Sequence, residues 1–260
     1  MAQSLGTSEN GFHSDSGRVV DFSDAAVVRK TDYWSPAVHE LLQYLQRVGF
    51  AEAPRLLSVT SDDQEKLTYI EGGSGSMAWA KIVPDEGLRA FAGLLRKYHD
   101  AVHDFQPTCT RWAMDERKLS AGEIVTHGDY GPWNIVWHGN KTVGLIDWDL
   151  AGPGKPLDDI AYALEYSVPF RSDEECVRWL KYPEPPNRAK RMTVFAEAYG
   201  LPGIDGFYEA VIERQERTVA NVHLLAERGL EPQATWIRNG FLDELQARIE
   251  WTKANQELFL

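Results

Sequence analysis

Cysteine is almost missing: Cys109 and Cys176 are the only two in 260 residues. Thiols that few and far apart provide neither a disulfide scaffold nor a cysteine-based zinc site. Long apolar runs are missing too, none approaching the roughly 20 residues that span a bilayer. Residues 1–16 are polar and acidic and lack the basic start and apolar stretch of a secretory leader. These absences predict a cytoplasmic protein without a membrane partner. Basic residues are in deficit, 27 Lys and Arg against 39 Asp and Glu, for a net charge of −12. Such a surface repels nucleic-acid phosphate and suits a cationic small molecule. Phosphate-cradling glycine patterns are absent as well: the chain has no G-x-G-x-x-G and no Walker-type loop.

With 43% hydrophobic and 25% charged residues, the chain can bury a core and is not disordered as a whole. Arg18–Phe22 and Ala26–Lys30 read as short strands joined at Ser23-Asp24. Ser35-Pro36 opens a helix, with Ser35 as its cap, that runs to Val48 and stops at Gly49. Its apolar positions Val38, Leu41, Leu42 and Leu45 keep helical spacing. Arg55–Thr60 and Lys66–Ile70 add two strands. Glu71-Gly-Gly-Ser-Gly-Ser76 reads as a linker. Beyond it, Leu88, Phe91, Leu94, Leu95, Tyr98 and Val102 mark a long amphipathic helix. Further helices are expected over 159–166, 173–180, 188–199, 206–228 and 234–254. The expectation is an α+β chain: a small sheet with one helix over 1–70, a hinge at 71–76, and a larger, mainly helical part over 77–260.

The chemistry concentrates in Ile124-Val-Thr-His127-Gly128-Asp129-Tyr-Gly-Pro-Trp-Asn134 and Leu145-Ile146-Asp147-Trp148-Asp149. Ile135–Trp137 and Thr142–Ile146, joined at Gly139-Asn140, form a β-hairpin. Asn134 precedes its first strand and Asp147 follows its second, so both lie at the open end. An amide oxygen and a carboxylate there are hard ligands suited to Mg²⁺ shared with phosphates. Asp129 lies just upstream, where a carboxylate can take the proton of an attacking hydroxyl.

His127-Gly128-Asp129 with Asn134, followed by Ile146-Asp147-Trp148-Asp149, resembles the aminoglycoside phosphotransferase and choline kinase-like family. The resemblance implies a two-lobed, protein-kinase-like fold, with a small N-terminal antiparallel-sheet lobe and a larger helical C-terminal lobe. It implies a small-molecule kinase that transfers the γ-phosphoryl group of ATP to a hydroxyl with Mg²⁺; GTP fits the same pattern. By the resemblance Asp129 is the catalytic base, and Asn134 and Asp147 are metal ligands. His127 fixes the loop, Asp149 braces it, and Asp159 in Pro156-Leu-Asp-Asp-Ile160 anchors it from a helix start. Trp133 and Trp148 pack beside the site.

The first 70 residues match the family less well. Gly11 and Gly17 bracket Phe12–Ser16, a weak candidate for a cover over the nucleotide. Ala26-Val-Val-Arg29-Lys30 resembles the phosphate-lysine strand, and strand alternation lets one of Arg29 and Lys30 face the nucleotide. The register favours Arg29, an arginine in place of the usual lysine. Its acidic partner is expected on the following helix, where Glu40 is available but His39 competes for the register. Thr68-Tyr-Ile70-Glu71-Gly72 resembles the adenine-pairing hinge, with Ile70 and either Leu145 or Ile146 as walls of the base. The family phosphorylates small molecules, including antibiotics, which leaves resistance or immunity open as biological roles. The alternative function is a kinase-like binding or immunity protein with weak or no turnover. Oligomeric state leaves no mark in the sequence.

Overall fold

The computed structural model of the chain describes residues 11–13, 19–21 and 26–260. Strands β1 (Gly11–His13), β2 (Val19–Asp21), β3 (Ala26–Lys30), β4 (Leu56–Val59) and β5 (Gln64–Thr68) form one sheet in the order β1-β2-β3-β5-β4. All its pairings are antiparallel. Most of the expected phosphate cover, residues 14–17, and the Ser23-Asp24 turn lie outside the described residues.

Helix α1 (Ser35–Arg47) buries Val38, Leu41, Leu42 and Leu45, the stripe expected from spacing. Its cap position is Trp34 rather than Ser35, and no side chain caps it. Ser35 Oγ instead accepts from the Asp32 N–H at 2.8 Å, in the turn that feeds the helix.

The presumed linker at 71–76 is pinned. Gly73 and Trp137 exchange two backbone hydrogen bonds of 2.9 Å each. A Cβ on Gly72 would lie 2.6 Å from Val136 Cγ1 and 2.7 Å from the Trp137 carbonyl oxygen. A 3₁₀ segment, Gly75–Lys81, follows at once and leads into α2 (Asp85–Val102). Ala78 and Ile82 are buried against the same core as α1 and α2, so one continuous apolar core runs beneath sheet and helices.

The second half is helical around two small strand pairs. β7 (Ile135–His138) and β8 (Lys141–Leu145) form the expected hairpin. β6 (Ile124–Thr126) pairs antiparallel with β9 (Gly152–Gly154). This pair is hidden in the sequence because Gly-Pro-Gly carries no apolar alternation and little strand preference. The helices are α3 (Pro156–Ser167), α4 (Asp173–Trp179), α5 (Arg188–Tyr199), α6 (Phe207–Glu227), α7 (Gln233–Arg238) and α8 (Phe241–Ala254). The expected single helix over 234–254 is therefore two: Gly240, at φ +79°, turns the chain between α7 and α8. Among the described residues no helix is long and apolar enough to cross a membrane.

The closest backbone approach in this frame is at Gly87 in α2. A Cβ there would sit 1.7 Å from the Lys81 carbonyl oxygen. Gly87→Ala is predicted to destabilise by about 2 kcal/mol or more, because neither the helix nor the 3₁₀ segment can move alone. Urea unfolding with an unchanged midpoint would show that the contact is slack.

Candidate active site

The site is assembled by the two loops that β6 and β9 clamp. β6 runs directly into His127-Gly128-Asp129, and β9 closes the loop that carries Asp147 and Asp149. Gly128 takes φ +78°, and a Cβ there would lie 2.0 Å from the Leu150 carbonyl oxygen. Only glycine lets the two loops touch at this point.

Asp159, in the first turn of α3, holds the first loop by its backbone. Its carboxylate accepts the His127 N–H at 2.7 Å and the Gly128 N–H at 2.9 Å. His99 Nε2 lies 3.1 Å from the same carboxylate, and His99 Nδ1 is 2.6 Å from the Tyr199 hydroxyl. Burial alone would raise the Asp159 pKa, yet His99, His127 and the Gly128 amide hold it below 3.8. The His127 ring crosses to the second loop, with Nε2 3.1 Å from the Ile146 carbonyl oxygen.

Asp129 is gripped on both oxygens. Asn134 Nδ2 donates to its Oδ2 at 2.8 Å and to its backbone oxygen at 2.9 Å. Trp133 Nε1 is 3.4 Å from Oδ2, and the Tyr162 hydroxyl donates to Oδ1 in a short bond. Burial and the neighbouring Asp129 raise the Tyr162 pKa well above 10.0, so this phenol stays a donor. Sequence reasoning missed Tyr162, which reads as one more apolar position of α3. Trp133 edges onto Tyr166 at 4.8 Å, and Trp148 is buried against His127 at 4.7 Å between ring centroids.

Both hydrogens of the Asn134 amide go to Asp129, and its other terminal atom is an oxygen, the donor type magnesium takes. The Ile146 N–H donates to the Asn134 carbonyl at 2.9 Å, which sets Asp147 one residue beyond Asn134's partner. Asp147 adopts φ +62°, a left-handed conformation unusual for a non-glycine residue, and its side chain is 52% exposed. The donor set fits a hard cation completed by phosphate oxygens. No three His, Cys, Asp or Glu among the described residues could hold a metal by themselves.

From the sheet, Arg29 faces this site while Lys30 is exposed. Arg29 Nη2 lies 2.9 Å from Asp149 Oδ1, and Nη1 lies 3.6 Å from Asp147 Oδ1. Its Nε makes a short ion pair with Glu65, the residue directly across on β5. His39 of α1 shares that carboxylate through Nε2. Burial opposes the Arg29 charge, but Asp149, Glu65 and Asp147 outweigh it and raise its pKa.

Glu40 corrects the expectation. It accepts from the Thr108 and Cys109 amides, each at 2.8 Å, and so caps a loop instead of pairing with Arg29. Helical spacing turns Glu40 about 100° away from His39, and the acid that serves Arg29 comes from the facing strand. Ile70 lies over Gly144, where a Cβ would meet its Cγ2 at 2.9 Å. Ile146, next in sequence to the buried Leu145, is half-buried, and Glu71 is exposed on the pinned strap.

Residues 105–182, which span both loops, match the phosphotransferase enzyme family. A trifolitoxin immunity protein of Rhizobium leguminosarum bv. trifolii is 33% identical over 217 residues, covering 80% of this chain and 79% of that protein. The chain belongs to the phosphotransferase enzyme family. Mouse acyl-CoA dehydrogenase family member 10 is 27% identical over 149 residues, 52% of this chain but 14% of that protein. An amicoumacin kinase in complex with AMP-PNP and Ca²⁺ superposes with TM-score 0.60 at 10% identity, over 97% of this chain and 88% of that one. The GDP and kanamycin complex of APH(2")-IIia gives 0.59 at 13% identity, over 97% and 93%. These likenesses establish the aminoglycoside-kinase-like, two-lobed fold of this phosphotransferase family member.

The family member's loop geometry makes its stability depend on pH. Burial holds the His127 imidazole below 6.5, its ordinary value. The unfolded chain therefore takes up the proton first, so this contribution is complete above 6.5 and declines as pH falls. Urea midpoints measured from about pH 7 to about pH 5 are expected to fall, and His127→Gln to flatten that slope. Equal slopes in the two proteins would mean that His127 is not held neutral.

Proposed function

We propose that this chain is a small-molecule kinase. It uses ATP and Mg²⁺ and transfers the γ-phosphoryl group to a hydroxyl of its acceptor. The observation that carries this reading is the fixed Asp129 carboxylate, beside an amide oxygen and a second carboxylate at the open end of one hairpin. Asp129 receives and orients the acceptor hydroxyl, and the geometry set by Asn134 and Tyr162 aims it. Asn134 and Asp147 would hold the magnesium ion, which supplies charge neutralisation for the phosphates when bound. Arg29 adds the cation that grips phosphate oxygens from the sheet side, and Asp149 holds it in place. Ile70 and Ile146 wall the base, residues 71–76 serve as the hinge, and residues 1–70 form the nucleotide lobe. Either adenine or guanine nucleotides suit a backbone-read pocket; solved neighbours hold AMP-PNP in one case and GDP in another. No covalent enzyme intermediate is required, since the hydroxyl oxygen attacks phosphorus directly and its proton passes to Asp129.

A second reading is a kinase-like immunity or binding protein with little turnover. It draws on the immunity name of the Rhizobium relative and on the ion pairs that already occupy Arg29.

Basal phosphate release from Mg²⁺·ATP, with water as acceptor, separates the two. Asp129→Ala is expected to bind nucleotide normally and to lose about 10²-fold or more of the release rate. Tyr162→Phe, which frees one carboxylate oxygen, is expected to lose about tenfold. Undiminished release in Asp129→Ala would remove it from the chemistry. A wild type that binds nucleotide without releasing phosphate would favour the second reading.

A further inference from the structure

Buried arginines in the helical part fall into two kinds. Arg188 and Arg191 are scaffold. Arg188 spends its three nitrogens on the Pro169 and Arg171 carbonyls and on Asp173, which lies 2.8 Å away. Arg191 spends its three on the Ser167, Val83 and Ile82 carbonyls. Arg171 is different. It is 9% exposed, yet among the described residues its Nε and Nη2 have no hydrogen-bond partner. Arg248 Nε is likewise unmatched. Its nearest acid is Glu165, at 3.8 Å, beyond hydrogen-bond reach, and Glu165 Oε2 has no partner of its own.

This cluster adjoins the active site. The Arg171 guanidinium lies over Tyr166 at 5.2 Å. Tyr166 touches Trp133 at 4.8 Å and Tyr162 at 5.2 Å, the two rings that donate to Asp129. Arg214 lies over Tyr162 at 4.4 Å, with Nη2 3.5 Å from the Gly128 carbonyl oxygen. Next to Asp129, then, aromatic rings carry the protein's own guanidiniums. A cationic acceptor would find a face of both tyrosine rings taken and like charge behind them. Burial and the facing Arg248 push the Arg171 pKa down, which marks a cation pair short of anion.

We propose that the acceptor carries a carboxylate, which Arg171 and Arg248 bind while its hydroxyl meets Asp129. This rests on the phosphotransferase reading and gives it a substrate class: hydroxy acids rather than polyamines. A planar guanidinium with open N–H groups matches a carboxylate bidentately. Glu165 and Glu175 also act on Arg171, but neither satisfies its open Nε and Nη2.

The test uses the full chain and two matched sets of ligands: phenyllactate, phenyllactamide and phenylalaninol; hydroxyisocaproate, its amide and leucinol. Binding is measured by calorimetry with and without Mg²⁺·ATP, so that carboxylate recognition is read apart from nucleotide binding. The hydroxy acid of at least one set is expected to bind about tenfold or more tighter than its amide and its amino alcohol. Arg171→Gln and Arg248→Gln should each erase that preference and leave Mg²⁺·ATP binding unchanged. No preference in either set, preference for the amino alcohols, or a preference that survives both substitutions overturns the proposal. A carboxylate preference without any Mg²⁺·ATP binding would support the anion site and sink the phosphotransferase reading. Melting temperature separates site from scaffold: Arg171→Gln is expected to melt at the wild-type temperature or above, and Arg188→Gln below it. An equal fall in both would assign Arg171 to the scaffold and count against the proposal.

Discussion

One buried carboxylate organises the active region. Asp159 is 1% exposed, and its charge persists only because two backbone amides and His99 surround it. Those amides belong to His127 and Gly128, so the Asp159 contacts fix the backbone that presents Asp129. The His127 ring then reaches the Ile146 carbonyl and carries the constraint to the second loop. The Asp129 carboxylate is thus positioned by another that never touches it. The arrangement is local in space but draws on α2, β6, α3 and α5, elements far apart in sequence.

The sheet meets this centre through Arg29. Its guanidinium spans Glu65 on β5 and the carboxylates of Asp147 and Asp149. An ordinary lysine would offer one ammonium for one partner; the planar fork serves both sides at once. Charge balance around Arg29 is therefore set by three acids and one histidine, and phosphate would join that network as a further anion. In the helical part, by contrast, Arg171 Nε and Nη2 and Arg248 Nε have no hydrogen-bond partner among the described residues.

Much of this was legible in the sequence, for definable reasons. His127-Gly128-Asp129, Asn134 and Asp147 are close along the chain, and a hairpin with a Gly-Asn turn has few ways to fold. The stripes of α1 and α2 are strictly periodic. What escaped depends on long-range register. Glu65 faces Arg29 only because β3 and β5 pair as they do, which neither strand reveals alone. Glu40 was a candidate as the carboxylate of the expected helix, with His39 competing for the register, and it is His39 that reaches the network through Glu65. Tyr162 was lost among the apolar residues of α3, since a tyrosine at a core position carries no sign that its hydroxyl is in use. The β6–β9 pair escaped because Gly152-Pro153-Gly154 resembles a loop, and the helix break at Gly240 because the periodic pattern continues across it.

The proposed kinase chemistry requires Asp147 and Asn134 to share a metal ion with a bound nucleotide. Thermal unfolding of wild type and Asp147→Ala, with ATP in the presence and absence of Mg²⁺, tests it most directly, because a ligand of the native state alone must raise the melting temperature. Wild type is expected to show a nucleotide-dependent rise that Mg²⁺ enlarges, and Asp147→Ala to keep only the metal-independent part. The same Mg²⁺-dependent rise in both proteins, or none in wild type at millimolar nucleotide, would contradict it.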